Sequence, residues 1–327
     1  MKSRLLTLAA GAVAATIALT GCGGSSEADD ETGASAETRT VTDASGEEVE
    51  VPADPQRVVT LHYAATQSVL DLGAPLVGQG VVEEDILPED EVEEVMAIPI
   101  VATDSSEPDL EQIAGVEPDL VLAPNTLEEE VLDQLRDVAP VYVFTLRGGD
   151  RANWTQRVDE VADALGREEE KEELATEFEA RQSELAAEYA DVIEGKSVGV
   201  IGAFEENNFY AWGEDNMTAT ILLPLGFTWS AQENAVVEGE EEPEATVSFE
   251  KIGSTVGDAD ILFLDSDFRE QVNPFMEGLQ KTTLYQDLPA VKAGHDYPGG
   301  KNTVAGYTDA NYVLDRVEDA LQDIQGS

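Results

Sequence analysis

Cations, cysteine and histidine are scarce in this chain. Its 327 residues include 18 lysines and arginines against 69 aspartates and glutamates, one cysteine and two histidines. The formal net charge of −51 repels phosphate backbones and anionic lipid headgroups. This excludes nucleic acid as a partner and membrane attachment by surface charge. His62 and His295 have no cysteine beside them, so a histidine-rich zinc or manganese site cannot be assembled.

A membrane-spanning apolar run is also missing. The apolar segment after Lys2 and Arg4 is about fifteen residues long, too short for a spanning helix, and it ends at Leu19-Thr20-Gly21-Cys22. This pattern resembles a bacterial lipoprotein signal peptide, which implies that residues 1–21 are removed and that the Cys22 thiol is acylated, a palmitate modification. The polar segment 22–38 could not pack around a buried free cysteine and predicts a flexible tether.

The folded part opens with a predicted hairpin and continues as alternating strands and helices. Val41 and Val51 lie in alternating apolar and polar segments on either side of Ser45-Gly46, which indicates a β-hairpin. Strand-like apolar runs follow, with helical patterns between them, and this predicts α/β architecture with a largely parallel sheet. The predicted strands are residues 57–61, 98–102, 120–123, 141–146, 198–203 and 261–264.

One long helical segment interrupts this alternation. From Asn153 to about Val192 the pattern has no strand signal, and Gly166 is its only helix breaker. The apolar face predicted for this segment consists of Leu174, Phe178, Leu185 and Tyr189, which recur at helical spacing. A helix of about twenty-five residues after Gly166 would be roughly 37 Å long, enough to join two lobes. The predicted domains are an N-terminal lobe at 39–152, a helical connector at 153–195 and a C-terminal lobe at 196–327.

Two short segments, one in each predicted lobe, have similar sequence patterns. Asp109-Leu110-Glu111 leads through a helix into one buried strand, and Ser248-Phe249-Glu250 leads through a helix into another. In each segment a capping residue and a glutamate open the helix, where the positive end of the helix dipole favours a carboxylate. Helix capping alone would explain both glutamates.

These segments, the hairpin and the single long helix resemble the substrate-binding lipoproteins of ATP-driven importers, of the ferric-siderophore and cobalamin type. The resemblance runs from about Thr40 to the end of the chain. It implies two Rossmann-like α/β lobes joined by one long α-helix, with the ligand cleft between them. It also implies that Glu111 and Glu250 dock to arginines of the permease.

The resemblance implies a function and a location as well. It implies that the protein captures a ferric siderophore at the extracytoplasmic face of the cell membrane, where only its lipid anchor holds it. The partners implied are an ABC permease and its ATPase subunit, and we expect a monomer without a cofactor. The scarcity of cations favours a hydroxamate or mixed siderophore over a highly anionic carboxylate one.

The loops that follow the strands hold the candidate ligand contacts, because ligands of open α/β sheets lie beyond the carboxyl ends of the strands. Aromatic residues are only 6% of the chain, so their recurrence in these loops indicates a binding surface. Arg147 and Arg269 either pair with ligand oxygens or form structural ion pairs. The predicted ligand-binding residues are Tyr63, Arg147, Tyr210, Trp212, Arg269, Tyr297 and Lys301.

Three other readings stay open. Haem and cobalamin are alternative ligands, since a tyrosine of the predicted set or either histidine could supply one axial haem ligand. A lipid-anchored hydrolase is the rival class. The segment from Gly294 to Asn302 resembles a phosphate loop, but its lysine falls one position late and Asn302 replaces the required Ser or Thr. The chain has no Gly-x-Ser-x-Gly nucleophile elbow either, so we expect no enzyme activity.

Overall fold

The computed structural model of the protein describes residues 37–103, 106–150, 152–240 and 242–326. The predicted signal peptide at 1–21, Cys22 and nearly all of the predicted tether at 22–38 lie outside these residues. The chain divides into two units, Met1–Ser35 and Ala36–Ser327, and every element described below belongs to the second unit.

A β-hairpin begins the described chain, as predicted. Strand β1 (Thr38–Thr42) pairs antiparallel with β2 (Glu48–Pro52). Gly46, in the turn, has a φ of +85°, a left-handed conformation that favours glycine. The Asp43 carboxylate accepts hydrogen bonds from the backbone amides of Ser45 and Glu47, at 2.9 and 3.1 Å, and so closes the turn.

The N-terminal lobe is built on a parallel sheet. Its elements are β3 (Val58–Thr60), α1 (Tyr63–Asp71), β4 (Leu76–Gly78), α2 (Val92–Val95), α3 (Leu110–Gly115), β5 (Leu120–Pro124), α4 (Glu129–Arg136) and β6 (Val141–Phe144). The strand order is β4-β3-β5-β6, and all pairs are parallel. The central strand β5 is buried at every position, which explains its continuous apolar sequence.

The predicted strand at 98–102 is wrong. The structure has only isolated bridges there, from Gln79 to Ile100 and from Ala102 to Pro108. Pro99 lies in the middle of the segment and has no N–H to donate to a strand ladder, which limits pairing to single bridges.

A set of helices connects the two lobes. They are α5 (Thr155–Leu165), α6 (Glu168–Glu188) and α7 (Ala190–Ile193). Gly166 ends α5 in the left-handed conformation, at φ 69°, so the predicted break is confirmed. Helix α6 has 21 residues and is therefore about 31 Å long. The predicted apolar face is buried at Phe178, Leu185 and Tyr189.

The C-terminal lobe has a mixed sheet. Its elements are β7 (Ser197–Glu205), β8 (Asn208–Trp212), α8 (Ala219–Leu222), β9 (Thr228–Trp229), α9 (Ala231–Val237), β10 (Glu244–Ser248), α10 (Ile252–Thr255), β11 (Ile261–Asp265), α11 (Pro274–Gln280), α12 (Thr283–Gln286), α13 (Pro289–Ala293), β12 (Asp296–Gly300) and α14 (Tyr307–Gly326). The order is β10-β8-β7-β11-β12, with β9 beside the start of β7. Strands β7, β11 and β12 are parallel, whereas β8 and β10 are antiparallel to their neighbours.

The two lobes share a core and polar contacts. One hydrophobic cluster includes Leu120 of the first sheet, Phe263 of the second and Leu314 of α14. Beside it, Asp71 of α1 accepts hydrogen bonds from the backbone N–H and the hydroxyl of Thr308 in α14, at 3.2 and 2.7 Å. The lobes are therefore held together by α14 as well as by α6, which limits how far they can swing apart.

Candidate functional site

The first-lobe edge of the cleft carries His62, Tyr63 and Arg147, which follow β3 and β6. The His62 Nδ1 accepts a hydrogen bond from the Ala64 amide at 3.1 Å and caps α1, and its ring lies 4.5 Å from the Tyr63 ring. Burial and the charges of Arg157 and Arg147 lower the pKa of His62 to about 4. The imidazole is therefore neutral at neutral pH, and the positive charge at this edge belongs to the arginines.

An aromatic cluster lies on the second sheet, on strands β7 and β8. The Phe204 ring is 5.4 Å from the Tyr210 ring and 6.3 Å from the Trp212 ring, and the Tyr210 and Trp212 rings stack at 6.2 Å. Phe204 is 49% exposed, whereas Trp212 is buried. The predicted loop placement of Tyr210 and Trp212 is wrong, because both lie in β8. Their alternate positions put both side chains on one face of the sheet.

Glycine at position 202 allows the Trp212 ring to lie over β7. A Cβ atom at Gly202 would be 2.7 Å from the Trp212 ring and 2.9 Å from the Cβ of Asp265. No side chain fits in that space without displacing the indole. Gly202 thus brings the aromatic cluster next to the carboxyl end of β11.

A buried glutamate fixes the backbone of Trp212. The fully buried Glu233 of α9 accepts hydrogen bonds from the amides of Trp212 and Val200, at 2.9 and 3.2 Å. Burial raises the pKa of Glu233 well above its ordinary value, against the effect of these two bonds. The carboxyl group joins β7, β8 and α9 at the base of the aromatic cluster.

Lys301 lies between the lobes. Its ammonium group donates to both carboxylate oxygens of the buried Asp309, at 3.0 and 2.9 Å. The same nitrogen is 5.5 Å from the centre of the Tyr63 ring in the first lobe and 5.8 Å from that of Phe268 in the second. Lys301 therefore links Tyr63 to the C-terminal lobe, with its own charge balanced by Asp309.

Asp265 ends β11 beside Lys301, and the sequence reasoning missed it. Its carboxylate accepts a hydrogen bond from the Asn302 amide at 3.0 Å. Burial raises the pKa of Asp265 to about 6, although the Asn302 bond and the Lys301 charge act in the opposite direction. The sequence signal for Asp265 is its place directly after four apolar residues, at the carboxyl end of a buried strand.

We expect Asp265 to make the stability of the protein depend on pH. An unfolded Asp265 loses its proton near pH 3.8, whereas the folded one keeps it up to about pH 6. The free energy of unfolding therefore falls by roughly 3 kcal/mol as the pH rises through this window. Urea unfolding at pH 4 and pH 7.5 should show the parent losing about 2 kcal/mol more stability than Asp265→Asn, because the unfolded aspartate is already more than half ionised at pH 4. Equal losses in both proteins would contradict the assignment.

Two predicted ligand contacts do not join the group around Tyr63, Lys301 and the aromatic cluster. The Arg269 guanidinium donates to the backbone carbonyls of Leu87 and Glu84 in the other lobe. Tyr297 lies in β12, not in a loop, and its hydroxyl donates to Asp323 of α14 at 2.8 Å. Their partners are set by the tertiary structure, which the position after a strand does not reveal.

The cleft is open at one end and closed at the other. A cavity of about 880 Å³ lies between the loop after β6 and the C-terminal lobe. Six carboxylates line it, those of Asp150, Glu214, Asp215, Glu238, Glu240 and Glu242. At the other end, Tyr63, Ile86, Leu87 and Lys301 enclose only about 10 Å³. Space for a ligand therefore exists at residues 213–215, directly after β8, and not beside Tyr63.

The two glutamates assigned to permease docking lie on the surface. Glu111 is exposed in the first turn of α3, which Asp109 caps by accepting from the Gln112 amide at 3.1 Å. Glu250 is exposed in a 3-10 turn at Phe249–Lys251, which Ser248 caps. Because the neighbouring residues do the capping, neither glutamate side chain is needed for it.

The described residues contain neither a metal-binding cluster nor a membrane-spanning helix. In that part of the chain, no group of three or more histidine, cysteine, aspartate or glutamate side chains is arranged to bind a metal ion. Over the same residues, no helix combines the length and the apolar character needed to cross a bilayer.

Two α/β lobes with a ligand-sized cleft at their strand ends define a solute-binding protein. The family described as Periplasmic binding protein matches residues 58–302. The chain belongs to this family, and the resemblance inferred from the sequence is confirmed.

Two similar proteins cover most of the chain. One is named "Probable siderophore-binding lipoprotein YfiY", from Bacillus subtilis (strain 168); it is 27% identical over 316 residues, 93% of this chain and 94% of that protein. The other is a solved structure, the siderophore periplasmic binding protein from the fuscachelin gene cluster of Thermobifida fusca. It has a TM-score of 0.70 and 29% identity, and the match covers 84% of this chain and 98% of that one.

A third similarity concerns the fold alone. The structure of Staphylococcus aureus SirA complexed with staphyloferrin B has a TM-score of 0.68 at 23% identity, covering 87% of this chain and 99% of that one. The predicted fold class, two α/β lobes joined by one long helix, is confirmed by these structures and by the sheets described above.

Proposed function

We propose that the protein captures a ferric siderophore between its lobes and delivers it to an ABC permease driven by a cytoplasmic ATPase. The observation that carries this proposal is an interlobe cavity lined by residues 148–150 of the first lobe and 213–215 of the second, in a chain of the Periplasmic binding protein family. Residues 213–215 directly follow β8, the strand that holds the stacked rings of Tyr210 and Trp212. Flat aromatic side chains bind ligand surface at a low entropic cost. The names of the Bacillus and Thermobifida relatives support the same ligand class.

The charge of the cleft favours a neutral chelate. The cavity is lined by six carboxylates, and the ammonium group of Lys301 is already paired with Asp309. Arg147, exposed at the first-lobe edge, supplies the cation of the proposed contact set. A ferric trihydroxamate carries no net charge on its iron centre, whereas a tricatecholate is strongly anionic and is repelled by this surface. The proposed ligand contacts are Tyr63, Arg147, Tyr210, Trp212 and Lys301.

A fluorescence titration tests the proposal, because Trp212 directly precedes Gly213, which lines the cavity. The purified protein is titrated with ferric hydroxamate, catecholate and carboxylate siderophores, with haem and with cobalamin. We expect the ferric hydroxamate to quench at the lowest concentration, with haem and cobalamin binding at least about a hundredfold more weakly. If haem or cobalamin binds most tightly instead, that molecule is the ligand and the siderophore assignment is wrong. Chemical turnover of a bound ligand would favour the rival hydrolase class over a binding protein without catalysis.

We also propose export and lipid anchoring for this protein. The proposal rests on the sequence of residues 1–21 and Cys22 and on the lipoprotein name of the Bacillus relative. The mature chain then starts at Cys22, with a tether to residue 38, lobes at 39–152 and 196–327 and the connector between them. It acts as a monomer on the extracytoplasmic face of the membrane, without a cofactor.

Substitution of the cysteine tests the anchor. Cys22→Ala should abolish incorporation of labelled palmitate and move the protein from the membrane fraction to the medium or periplasm, because no other residue of the proposed signal can be acylated at a thiol. Ser25→Ala, three residues further on, is the control and should remain with the membrane. Palmitate labelling of the Cys22→Ala protein at the parent level would show that the anchor is elsewhere.

A further inference from the structure

We propose that Arg269 and Phe268 form a tie between the lobes that closes the Tyr63 end of the cleft and opens when ligand enters. This inference rests on the proposed function, in which Tyr63 and Lys301 contact the ligand. It assigns to Arg269 the role of a positioning residue that controls access to the site, instead of a direct ligand contact.

The tie consists of hydrogen bonds from the second lobe to backbone carbonyls of the first. The two terminal nitrogens of Arg269 donate to the Leu87 and Glu84 oxygens, at 2.6 and 3.1 Å. The backbone N–H of Phe268 donates to the Asp85 oxygen at 3.0 Å. The planar guanidinium holds two acceptors at once, a geometry that a lysine ammonium group does not reproduce.

The second-lobe half of the tie is fixed. Asp267 accepts hydrogen bonds from the amides of Arg269 and Gln271, each at 2.8 Å, which closes the turn that presents the guanidinium. The Phe268 ring stacks on Tyr312 of α14 at 4.3 Å, and the Tyr312 hydroxyl donates to the Asp267 carbonyl at 3.0 Å. This half is therefore anchored on the long C-terminal helix.

The first-lobe half has a largely exposed turn and one small apolar anchor, in which Leu87 is buried with Val82 and Val95. The tie is made to the 3-10 turn Glu84–Ile86 and the residue after it, and none of the three turn residues is buried. The turn's own backbone hydrogen bonds, from Ile86 to Glu83 and from Leu87 to Glu84, are long, at 3.3 and 3.4 Å. If the tie breaks, this segment is the one that moves.

The closed space behind the tie makes opening necessary. Ile86 and Leu87, which the tie holds in place, enclose with Tyr63 and Lys301 a volume of about 10 Å³. That is about the volume that one water molecule needs, so no chelating group of a siderophore fits there. A ligand that contacts Tyr63 and Lys301 therefore binds only the open form. Its apparent affinity is therefore lower when a larger fraction of the molecules has the tie closed.

Stopped-flow binding of a ferric trihydroxamate, ferrichrome, to three arginine variants tests the tie. Arg269→Ala should raise the association rate constant about fivefold or more and leave the dissociation rate nearly unchanged, since the closed form is lost. Arg269→Lys should lie between that variant and the parent. Arg147→Ala should instead raise the dissociation rate, because it removes a proposed ligand contact. Arg136→Ala is the matched control, since Arg136 pairs only with first-lobe carboxylates in the described structure.

Hydrogen exchange on the ligand-free protein gives an independent readout. In Arg269→Ala, peptides covering residues 84–87 and 267–269 should exchange about tenfold faster, while those from β5 stay as in the parent. An Arg269→Ala protein with unchanged exchange at 84–87, or with slower association than the parent, overturns the tie. If no variant binds any ferric siderophore, the proposed function fails, and the exchange data still decide whether the tie exists.

Discussion

Glu233→Ala is expected to lower the free energy of unfolding by about 3 to 5 kcal/mol, which is a large share of the stability of a typical domain. The fully buried Glu233 accepts the amides of Trp212 and Val200, and alanine would leave both N–H groups buried without an acceptor. Urea unfolding followed by circular dichroism measures the change. The fluorescence of Trp212 should shift as well, since its backbone loses this support.

Two further variants distinguish the loss of this buried hydrogen-bond acceptor from the loss of a negative charge. Glu233→Gln keeps one acceptor oxygen and should lose only about 1 to 2 kcal/mol. Glu238→Ala removes an exposed carboxylate at the end of α9 and should change the free energy of unfolding by less than about 0.5 kcal/mol. If Glu233→Ala unfolds at the same urea concentration as Glu238→Ala, the buried carboxylate does not hold β7 and β8 together.

The double variant Glu111→Ala/Glu250→Ala is expected to reduce siderophore uptake by cells about tenfold or more, with ligand affinity and melting temperature nearly unchanged. Both glutamates are exposed, and Asp109 and Ser248 cap the turns in which they lie. Their removal should therefore leave the fold intact while the proposed permease arginines lose their partners. Uptake of iron-labelled siderophore, measured together with the amount of protein on the membrane, gives the result.

A matched control carries the same charge change elsewhere. Glu173→Ala/Glu188→Ala removes two exposed carboxylates from the connecting helix α6 and should leave uptake at the parent level. Reversal of Glu111 and Glu250 to arginine should reduce uptake further than alanine does. The docking assignment of Glu111 and Glu250 would be contradicted if the double-alanine protein supports normal uptake. It would also be contradicted if the purified double-alanine protein binds ligand more weakly than the parent.

The elements predicted best from the sequence are those whose signal is local. Strands β5, β7 and β11 are continuous apolar runs because they are buried on both faces of their sheets. Gly166 and the apolar spacing that includes Phe178 and Leu185 marked the long helix. Each of these patterns is contained in about twenty consecutive residues or fewer, so no knowledge of the tertiary structure was required.

The strands that the sequence reasoning missed depend on pairing with distant residues. Strand β12, Asp-Tyr-Pro-Gly-Gly, has neither an apolar run nor a strict alternation, and it forms only because β11 offers a parallel neighbour. The edge strand β10 is antiparallel to β8 and has an acidic residue and only one buried position. Their backbone pairing overrides a weak local preference for strand structure.

The candidate site was predictable in part. Residues placed after strands, such as Tyr63 and Arg147, do lie at the sheet edge, since the chain direction of a parallel strand fixes where its loop emerges. The partners of long side chains were not predictable, because an arginine reaches several ångströms from its backbone. Arg269 reaches the other lobe's carbonyls, and Lys301 finds Asp309, only once the lobes are assembled.

Calorimetric titration of the purified protein with one siderophore, in its ferric and its metal-free forms, tests the central claim most directly. The proposed function predicts saturable binding of one ferric hydroxamate siderophore per chain, at least about tenfold tighter than its metal-free form. Trp212→Ala should weaken this binding through loss of the stacked ring. Absence of binding by ferric siderophores of the hydroxamate, catecholate and carboxylate classes, in a protein that remains folded, would contradict the claim.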